Sequence, residues 1–318
     1  MLSIRALGNG AKPQVVRIPR PPIPIDGSSQ AQIKVIGAGL HHVVRSRASG
    51  EHYSVSGAPK RPGIDGTGIN LKTGKAVYFI TPPNEDGSFA EFVNVPTPFM
   101  WDIPEGADPV QVAGLMNPLL SSWLALRKRV DFLRQGKQDG WSCLVMGVTS
   151  ISGRLAVQVA RHFGAAKVLG AARREATPKD LSLDDYIVLK DPPETTDFTP
   201  AADANVTLDY LYGPYVRAFL QGTQSKVPLT WVSIGKLTRL EAEIPSQELR
   251  RRDLTLRGSG VGSWDPRDAM KEIPEMLQLI RDVKMGDITL VGIEDAEQVW
   301  DVTDKRVVFV TSEYSNVE

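Results

Sequence analysis

The chain has 318 residues, of which 42% are hydrophobic and 23% charged, a composition typical of soluble globular proteins. Its 37 basic residues balance 37 acidic ones, so the net charge gives no electrostatic footprint for nucleic acid or for an anionic membrane surface. We therefore expect a small-molecule partner, no nucleic acid and no membrane association.

The single cysteine, Cys143, excludes an intrachain disulfide and any four-cysteine structural zinc site. Residues 1–18 lack the apolar core of a signal peptide, and no later run reaches the length of a membrane span. A reducing, cytoplasmic setting is the simplest expectation.

The first hundred residues predict a β-rich module. Short strands are expected near residues 32–37, 76–80 and 89–93, because apolar runs there are separated by turns dense in proline and glycine. Four prolines between residues 19 and 24 predict an extended connector rather than a helix.

Residues 38–53 and 61–69 collect polar side chains around glycines and are predicted to form loops beside a substrate. His41 and Tyr53 are the candidates for orienting that substrate, with ordinary packing as the alternative for each. Asp65 is either a polar group of the site or a turn residue that holds backbone amides.

Three histidines in this region, His41, His42 and His52, could suggest a metal. No cysteine or carboxylate stands among them in a recognisable ligand spacing, so no metal site is predicted.

From residue 108 the pattern changes to that of a helix, which Asn117-Pro118 is expected to interrupt, and we place a domain junction there. Residues 141–146 then form a short apolar run typical of a buried parallel strand. Gly147 ends it, and an amphipathic helix follows from Gly153 with Gly164 as its C-terminal cap.

The turn between this strand and helix is a candidate anion site, because the first N–H groups of a helix have no carbonyl partner and carry the positive end of its dipole. The alternative is an ordinary strand-to-helix connection. The residues predicted to hold a dinucleotide pyrophosphate are Gly147, Thr149, Ser150, Ile151, Ser152 and Gly153.

Strands and helices alternate after this turn, which predicts parallel βαβ units and a doubly wound, six-stranded α/β sheet. The further strands are expected at residues 167–172, 186–189, 206–210, 230–234 and 254–258. Gly147, Ala172, Tyr210 and Gly235 should then border one crevice at the carboxyl ends of the strands, where Tyr210 or Tyr212 could line a nicotinamide pocket.

The end of the second strand carries Arg173 and Arg174 where an acidic residue would accept a hydrogen bond from a ribose hydroxyl. A guanidinium matches a phosphate in geometry and charge, so the pair favours NADPH over NADH. The alternative is that one or both are solvated surface arginines.

Residues 182–203 predict a surface loop, and residues 265–283 a helix with a distortion at Pro274. Short strands at 288–291 and 306–310 fit the first module better than the parallel sheet. The predicted domains are therefore residues 1–118 with 284–318, and residues 119–283.

Several motifs in this order resemble the medium-chain dehydrogenase/reductase superfamily, in its zinc-independent quinone oxidoreductase-like branch. The resemblance covers nearly the whole chain and implies a GroES-like β-rich catalytic domain, an inserted Rossmann domain, and a homodimer formed through the edges of the nucleotide-binding sheets. The motifs are AGLHHVVRSRASG, PGIDGTG, GSFAEF, LMNPLLSSWLAL, GVTSISGRLAVQVARHFGA, LDYLYGP, WVSIG and GSGVGS.

The chain departs from its relatives at two places. Zinc-dependent members carry a catalytic cysteine and a Gly-His-Glu motif, whereas residues 62–66 here read PGIDG. Close relatives have a GATGxxG phosphate loop, where this chain has Val148 and Ser150. A serine there costs on the order of 1 kcal/mol if the backbone needs a positive φ, which its hydroxyl could offset by binding phosphate.

The expected function is zinc-independent hydride transfer from NADPH to a quinone or conjugated enone, since such acceptors delocalise the incoming charge. One alternative is an enoyl reductase acting on a biosynthetic intermediate that is bound to a carrier protein or free. Another is a nucleotide-binding protein without turnover.

Overall fold

The computed structural model describes residues 1–8, 11–53, 57, 60–82, 85–136, 140–175, 179–283 and 288–311. Its strands in chain order are β1 (Leu2–Arg5), β2 (Gln14–Arg17), β3 (Gln30–Gly39), β4 (Asp65–Asn70), β5 (Ala76–Ile80), β6 (Phe92–Pro96), β7 (Met100–Asp102), β8 (Trp141–Met146), β9 (Ala165–Ala172), β10 (Asp185–Val188), β11 (Val206–Asp209), β12 (Leu229–Ser233), β13 (Leu254–Gly258), β14 (Ile288–Gly292) and β15 (Arg306–Val310).

The α-helices are α1 (His42–Ala48), α2 (Pro109–Arg129), α3 (Asp131–Arg134), α4 (Ile151–His162), α5 (Pro214–Gly222), α6 (Ser246–Arg251), α7 (Pro266–Met270), α8 (Ile273–Asp282) and α9 (Ala296–Val299). Within the described ranges, none of the helices has the length and apolar character needed to cross a bilayer.

The chain divides into two compact units. The first comprises Met1–Asn117 with Met270–Glu318, and the second comprises Pro118–Ala269. From the sequence, we predicted that the chain passes from the first domain to the second after residue 118 and returns to the first after residue 283. Helix α8 therefore belongs to the first unit, where Gln111 Nε2 donates hydrogen bonds to the carbonyls of Ile280 and Val283.

The second unit is built on a parallel six-stranded sheet of order β10-β9-β8-β11-β12-β13. This doubly wound arrangement confirms the predicted Rossmann fold. Strand β8 lies inside the sheet with its core-facing side chains fully shielded, as its continuous apolar run requires. Phe219 packs edge-on against Phe198 and Trp231 in the core beside the sheet.

The first unit contains a mixed sheet of order β14-β15-β3-β4-β5-β7, with β6 also paired to β3. The returning strands β14 and β15 are therefore confirmed as part of this unit. The predicted strand at 89–93 lies instead at Phe92–Pro96. The predicted loop at 61–69 was wrong, because Asp65–Asn70 forms a strand between β3 and β5.

Two proline expectations were wrong. Helix α2 continues through Pro118, because apolar side chains on both sides of the proline, including Leu115, Leu119 and Trp123, are completely buried. Pro274 lies in the first turn of α8, where a missing N–H costs no helical hydrogen bond. The predicted helix at 265–283 is accordingly two helices, α7 and α8.

The predicted loop at 182–203 is more ordered than expected. Besides β10, which corresponds to the strand predicted at residues 186–189, it contains two short 3-10 helices, Pro193–Thr195 and Thr199–Ala201. Phe198 has no solvent exposure, so its ring anchors this segment to the core of the second unit.

Candidate functional site

The turn after β8 is held by Ser150, which caps α4. Its Oγ accepts a hydrogen bond of 3.1 Å from the Gly153 N–H and donates one of 2.8 Å to the Gly147 carbonyl. Ser150 has φ −71° and ψ 158°, which is ordinary extended backbone. Ser150 therefore has none of the backbone strain that a positive φ would cause. Its hydroxyl forms hydrogen bonds within the turn.

Both predicted glycines are required by the geometry of this turn. Gly147 has φ +86°, which favours glycine. A Cβ on Gly153 would lie 2.3 Å from the Gly147 carbonyl oxygen and 2.7 Å from Val148 Cα, so only glycine allows the helix to approach the strand this closely. The side chain of Val148 is buried against Gly170, away from solvent.

The start of α4 has donors available for an anion. The backbone N–H groups of Ile151 and Ser152 have no acceptor among the described residues. The side chains of Thr149, Ile151 and Ser152 are partly exposed around them. A twelve-residue helix adds the positive end of its dipole, so this turn fits the diphosphate of a dinucleotide.

Arg173 and Arg174 follow the last residue of β9, and both are exposed. Neither guanidinium has a hydrogen-bond or ion-pair partner within the described part of the chain. The backbone carbonyl of Arg174 accepts a 2.7 Å hydrogen bond from the hydroxyl of Tyr186 on the adjacent strand β10. The two guanidinium groups therefore lie after the second strand of the sheet, which is where a Rossmann fold would recognise a 2′-phosphate.

The predicted crevice residues lie at the carboxyl ends of four adjacent strands. Backbone hydrogen bonds connect these ends: the Gly147 N–H donates to the Ala171 carbonyl, and the Gly235 N–H donates to the Asp209 carbonyl. Gly235 packs so closely that a Cβ would lie 2.6 Å from the Tyr210 carbonyl oxygen. The sheet therefore places Gly147, Ala172, Tyr210 and Gly235 along one edge.

The ring of Tyr210 is buried rather than open to this edge. Its hydroxyl lies 3.2 Å from Ser121 Oγ, and burial raises its pKa above the ordinary value. Tyr212 is partly buried and adopts φ +59°, a conformation that costs a non-glycine residue about 1–2 kcal/mol.

Asp209 holds this strained turn and was not identified from the sequence. Its Oδ1 accepts the N–H groups of Leu211 and Tyr212 at 2.8 and 2.9 Å, and its Oδ2 accepts Trp231 Nε1–H at 2.9 Å. Burial raises the pKa of this carboxyl despite the three donors. An aspartate that directly ends a buried strand was the available signal.

His41 lies in a buried polar cluster of the first unit. Arg306 Nη1 is 2.9 Å from Nδ1 of His41, and Asp65 Oδ1 is 3.2 Å from Nε2. Because a guanidinium only donates, Nδ1 is the acceptor, and Nε2 carries the proton that it donates to Asp65. Burial lowers the pKa of His41, which agrees with this neutral tautomer.

Asp65 is not a turn residue, which corrects one of the two interpretations of the sequence. It begins β4, is buried, and accepts a 2.9 Å hydrogen bond from the Tyr78 hydroxyl as well as the His41 contact. Burial, followed by the charge of Asp65, raises the pKa of Tyr78 well above its ordinary value. Burial and the nearby Arg45 lower the pKa of Arg306 to about 10.

Tyr53, the other predicted substrate residue, is 72% exposed and stacks on His52 at a ring separation of 4.5 Å. Residues 38–53, predicted as a loop, are partly regular, since β3 ends at Gly39 and α1 spans His42–Ala48.

Among the residues that the structure describes, no group of three or more His, Cys, Asp or Glu side chains could hold a metal ion. Cys143 is fully buried in β8, and burial raises the pKa of its thiol, so it is not a thiolate ligand at neutral pH.

Comparison with known proteins identifies the family. No family model matches the chain. A probable NADPH-dependent quinone reductase, tdiC of Emericella nidulans, is 34% identical, over 92% of this chain and 94% of that protein.

Solved structures share the fold. The quinone oxidoreductase of Thermus thermophilus, which was also solved in complex with NADPH, superimposes with a TM-score of 0.76 at 23% identity, covering 98% of this chain and 100% of that one. An NAD-dependent alcohol dehydrogenase gives a TM-score of 0.76 at 17% identity, with coverages of 98% and 100%. The chain thus belongs to the medium-chain dehydrogenase/reductase superfamily, in its quinone oxidoreductase-like branch.

Proposed function

We propose that the protein is an NADPH-dependent reductase that transfers hydride to a quinone or to a conjugated enone. The observation that carries the proposal is the pairing of two features in the second unit. The N–H groups of Ile151 and Ser152 have no acceptor among the described residues and could bind a diphosphate. The exposed guanidinium groups of Arg173 and Arg174 follow the strand adjacent to β8.

Each group has a defined part in binding. The N–H groups at the start of α4 would bind the diphosphate, and Arg173 with Arg174 would neutralise a 2′-phosphate. Bound NADPH would supply a hydride, which carries both electrons to the acceptor. Gly147 and Gly153 keep the turn free of side-chain atoms, so that the diphosphate can approach the backbone.

A conjugated acceptor suits the available chemistry. The negative charge that follows hydride arrival spreads over a phenolate or enolate, which needs hydrogen-bond donors rather than a strong Lewis acid. His41 and Tyr53 remain our candidates for orienting the acceptor. Tyr53 presents an exposed hydroxyl, whereas His41 would first have to exchange its hydrogen bond to Asp65.

We further propose a cytoplasmic homodimer assembled along β13. This strand is an edge of the parallel sheet, and its Leu256 is 40% exposed. Antiparallel or parallel pairing of two such edges would satisfy their free backbone groups. The mass of the protein in solution, with Leu256→Lys as the variant, tests this assembly directly.

The alternative function, a nucleotide-binding protein without turnover, has less support from the structure than from the sequence. That alternative was based on Val148 and Ser150, and the structure gives both side chains a role in building the turn. Val148 is buried, and the hydroxyl of Ser150 makes both of its hydrogen bonds within the turn.

A steady-state assay separates the alternatives. The absorbance of NADPH and of NADH is followed with quinones, conjugated enones and enoyl thioesters, with and without a chelator. We expect NADPH oxidation with quinones or enones that the chelator does not change. Preference for enoyl thioesters would identify the enoyl reductase instead. Tight NADPH binding without turnover would refute the enzyme, and chelator-sensitive oxidation of alcohols would refute the zinc-free mechanism.

A further inference from the structure

Residues 18–26, which we name the proline segment, show a burial pattern with a period of three. Ile18, Pro21 and Pro24 are partly buried, while the two residues that follow each of them are exposed. A polyproline II helix has three residues per turn, so every third side chain lies on the same ridge. The proline segment therefore lies on the first unit with one ridge inward and two ridges outward.

The sequence dictates this conformation. Each proline fixes its own φ near −65° and restricts the residue before it to extended geometry. Ile18, Arg20 and Ile23 each precede a proline in the run IPRPPIPID. No regular strand or helix covers residues 18–25, and the backbone pairing of β1 with β2 ends at Ile18, which exchanges two hydrogen bonds with Met1.

Side chains of the first unit bind two carbonyls of the proline segment and the side chain of Arg20. Gln32 Nε2 donates to the Pro21 carbonyl at 2.8 Å, and Asn94 Nδ2 donates to the Pro22 carbonyl at 2.9 Å. Arg20 Nε in turn donates to Gln32 Oε1 at 2.8 Å, and its guanidinium lies 3.9 Å above the ring of Phe92. The segment is thus ordered before any partner arrives.

The outward side carries one apolar ridge, Pro19, Pro22 and Ile25, and one ridge in which Ile23 lies between the charged residues Arg20 and Asp26. Ile23 is 73% exposed and Ile25 is 82% exposed, the two most exposed large apolar side chains among the described residues. Pro19 and Pro22 are exposed beside them. Isolated exposed apolar residues need no explanation, but here four of them share one preformed surface.

We propose that the proline segment is a docking site for a protein domain with an aromatic-lined groove that binds polyproline II helices, of the SH3 or WW type. Such grooves bind the exposed prolines and apolar side chains of the helix, which here are Pro19, Pro22 and Ile25 on one ridge with Ile23 on the next. The segment is already held in place, which lowers the ordering cost of binding. The exposed, positively charged Arg17 beside it favours a groove with an acidic rim.

The test measures binding of the full-length protein to a set of purified SH3 and WW domains by isothermal titration calorimetry. At least one domain should bind, and a free peptide of residues 17–26 should compete. Ile23→Asp and Ile25→Asp should each weaken binding at least about tenfold, because a buried carboxylate in an aromatic groove is strongly disfavoured. Leu240→Asp, at a site 71% exposed in the second unit, is the matched control and should bind normally.

Three results would overturn the proposal: no domain of the set binds, Leu240→Asp weakens binding as much as the isoleucine variants, or those variants change only the self-association of the protein. NADPH oxidation provides the control for folding. None of the three substituted residues belongs to the turn at residues 147–153 or to the arginine pair, so the rates of all three variants should equal that of the unmodified protein.

Discussion

The hydroxyl of Tyr186 donates a hydrogen bond of 2.7 Å to the backbone carbonyl of Arg174. Tyr186 lies on β10, which pairs in parallel with β9, the strand that ends immediately before the two arginines. This hydrogen bond connects the exposed arginine turn to the neighbouring strand, and so restricts where the two guanidinium groups can lie.

Tyr186→Phe should weaken NADPH binding about twofold to tenfold, as expected for the loss of one hydrogen bond worth about 0.5–1.5 kcal/mol. NADH lacks the 2′-phosphate that the arginines would bind, so its affinity should change less. Fluorescence titration of both nucleotides measures the difference. Equal losses for NADPH and NADH would show that Tyr186 does not act through the arginines.

The Ser150 cap predicts a specific order of stabilities. Ser150→Ala removes the acceptor of the Gly153 N–H and should lower the free energy of unfolding by roughly 1 kcal/mol, whereas Ser150→Gly should cost only a few tenths. Because Ser150 has a negative φ, glycine gives no relief of strain. Urea denaturation checks the order, with Ser152→Ala as the control. A Ser150→Gly variant more stable than the unmodified protein would contradict the observed geometry.

Gly153 and Gly222 form a matched pair of helical glycines. A Cβ on Gly153 would meet backbone atoms at 2.3 and 2.7 Å, whereas one on Gly222 would meet nothing within 4 Å. Gly153→Ala should therefore cost about 1–3 kcal/mol and weaken NADPH binding. Gly222→Ala should leave binding unchanged and stability equal or slightly higher. Denaturation and nucleotide titration of both variants test the pair, and equal behaviour would refute the close approach at Gly153.

The parallel sheet could be predicted because short strand-like segments alternate with helical ones, and its strand β8 is an almost entirely apolar run. Residues 141–146 and 254–258 were placed with their observed bounds. Strand β4 could not be predicted, since the sequence DGTGIN contains turn residues. Its glycines instead allow close strand packing: a Cβ on Gly68 would lie 2.4 Å from the Lys34 carbonyl oxygen. Only tertiary structure shows that requirement.

The candidate site was predictable to a similar extent. The turn at residues 147–153 is local, so glycine spacing and helix periodicity were sufficient to predict its strand-turn-helix geometry, while its binding of a phosphate stays a prediction. The buried cluster of the first unit joins residues far apart in the chain, with His41 and Arg306 separated by 265 positions. Because no periodicity relates such residues, neither the hydrogen bond from Tyr78 to Asp65 nor the engagement of both nitrogens of His41 could be predicted.

The buried His41 predicts a pH dependence of stability. Its folded-state pKa lies below 6.5, so the unfolded chain binds the proton more readily as the pH falls from about 6.5 towards the folded-state pKa. The free energy of unfolding should decrease through that range. His41→Gln can accept from Arg306 and donate to Asp65 without titrating, and should reduce the decrease.

Urea denaturation at about pH 7.5 and 5.5 measures this effect, at values that bracket the ordinary histidine pKa. His42→Gln, an exposed neighbour, is the control and should keep the acid-dependent loss. An unchanged pH dependence in His41→Gln would show that another group causes it.

The most direct test of the central claim follows protein-bound NADPH by stopped-flow absorbance after mixing with a benzoquinone. The proposed function predicts oxidation of the bound nucleotide that depends on the quinone, slows when the transferred hydrogen is deuterium, and is strongly reduced in Arg173→Gln/Arg174→Gln at subsaturating NADPH. Bound NADPH that stays reduced in the presence of quinones and enones would contradict the assignment of this chain as a reductase of such acceptors.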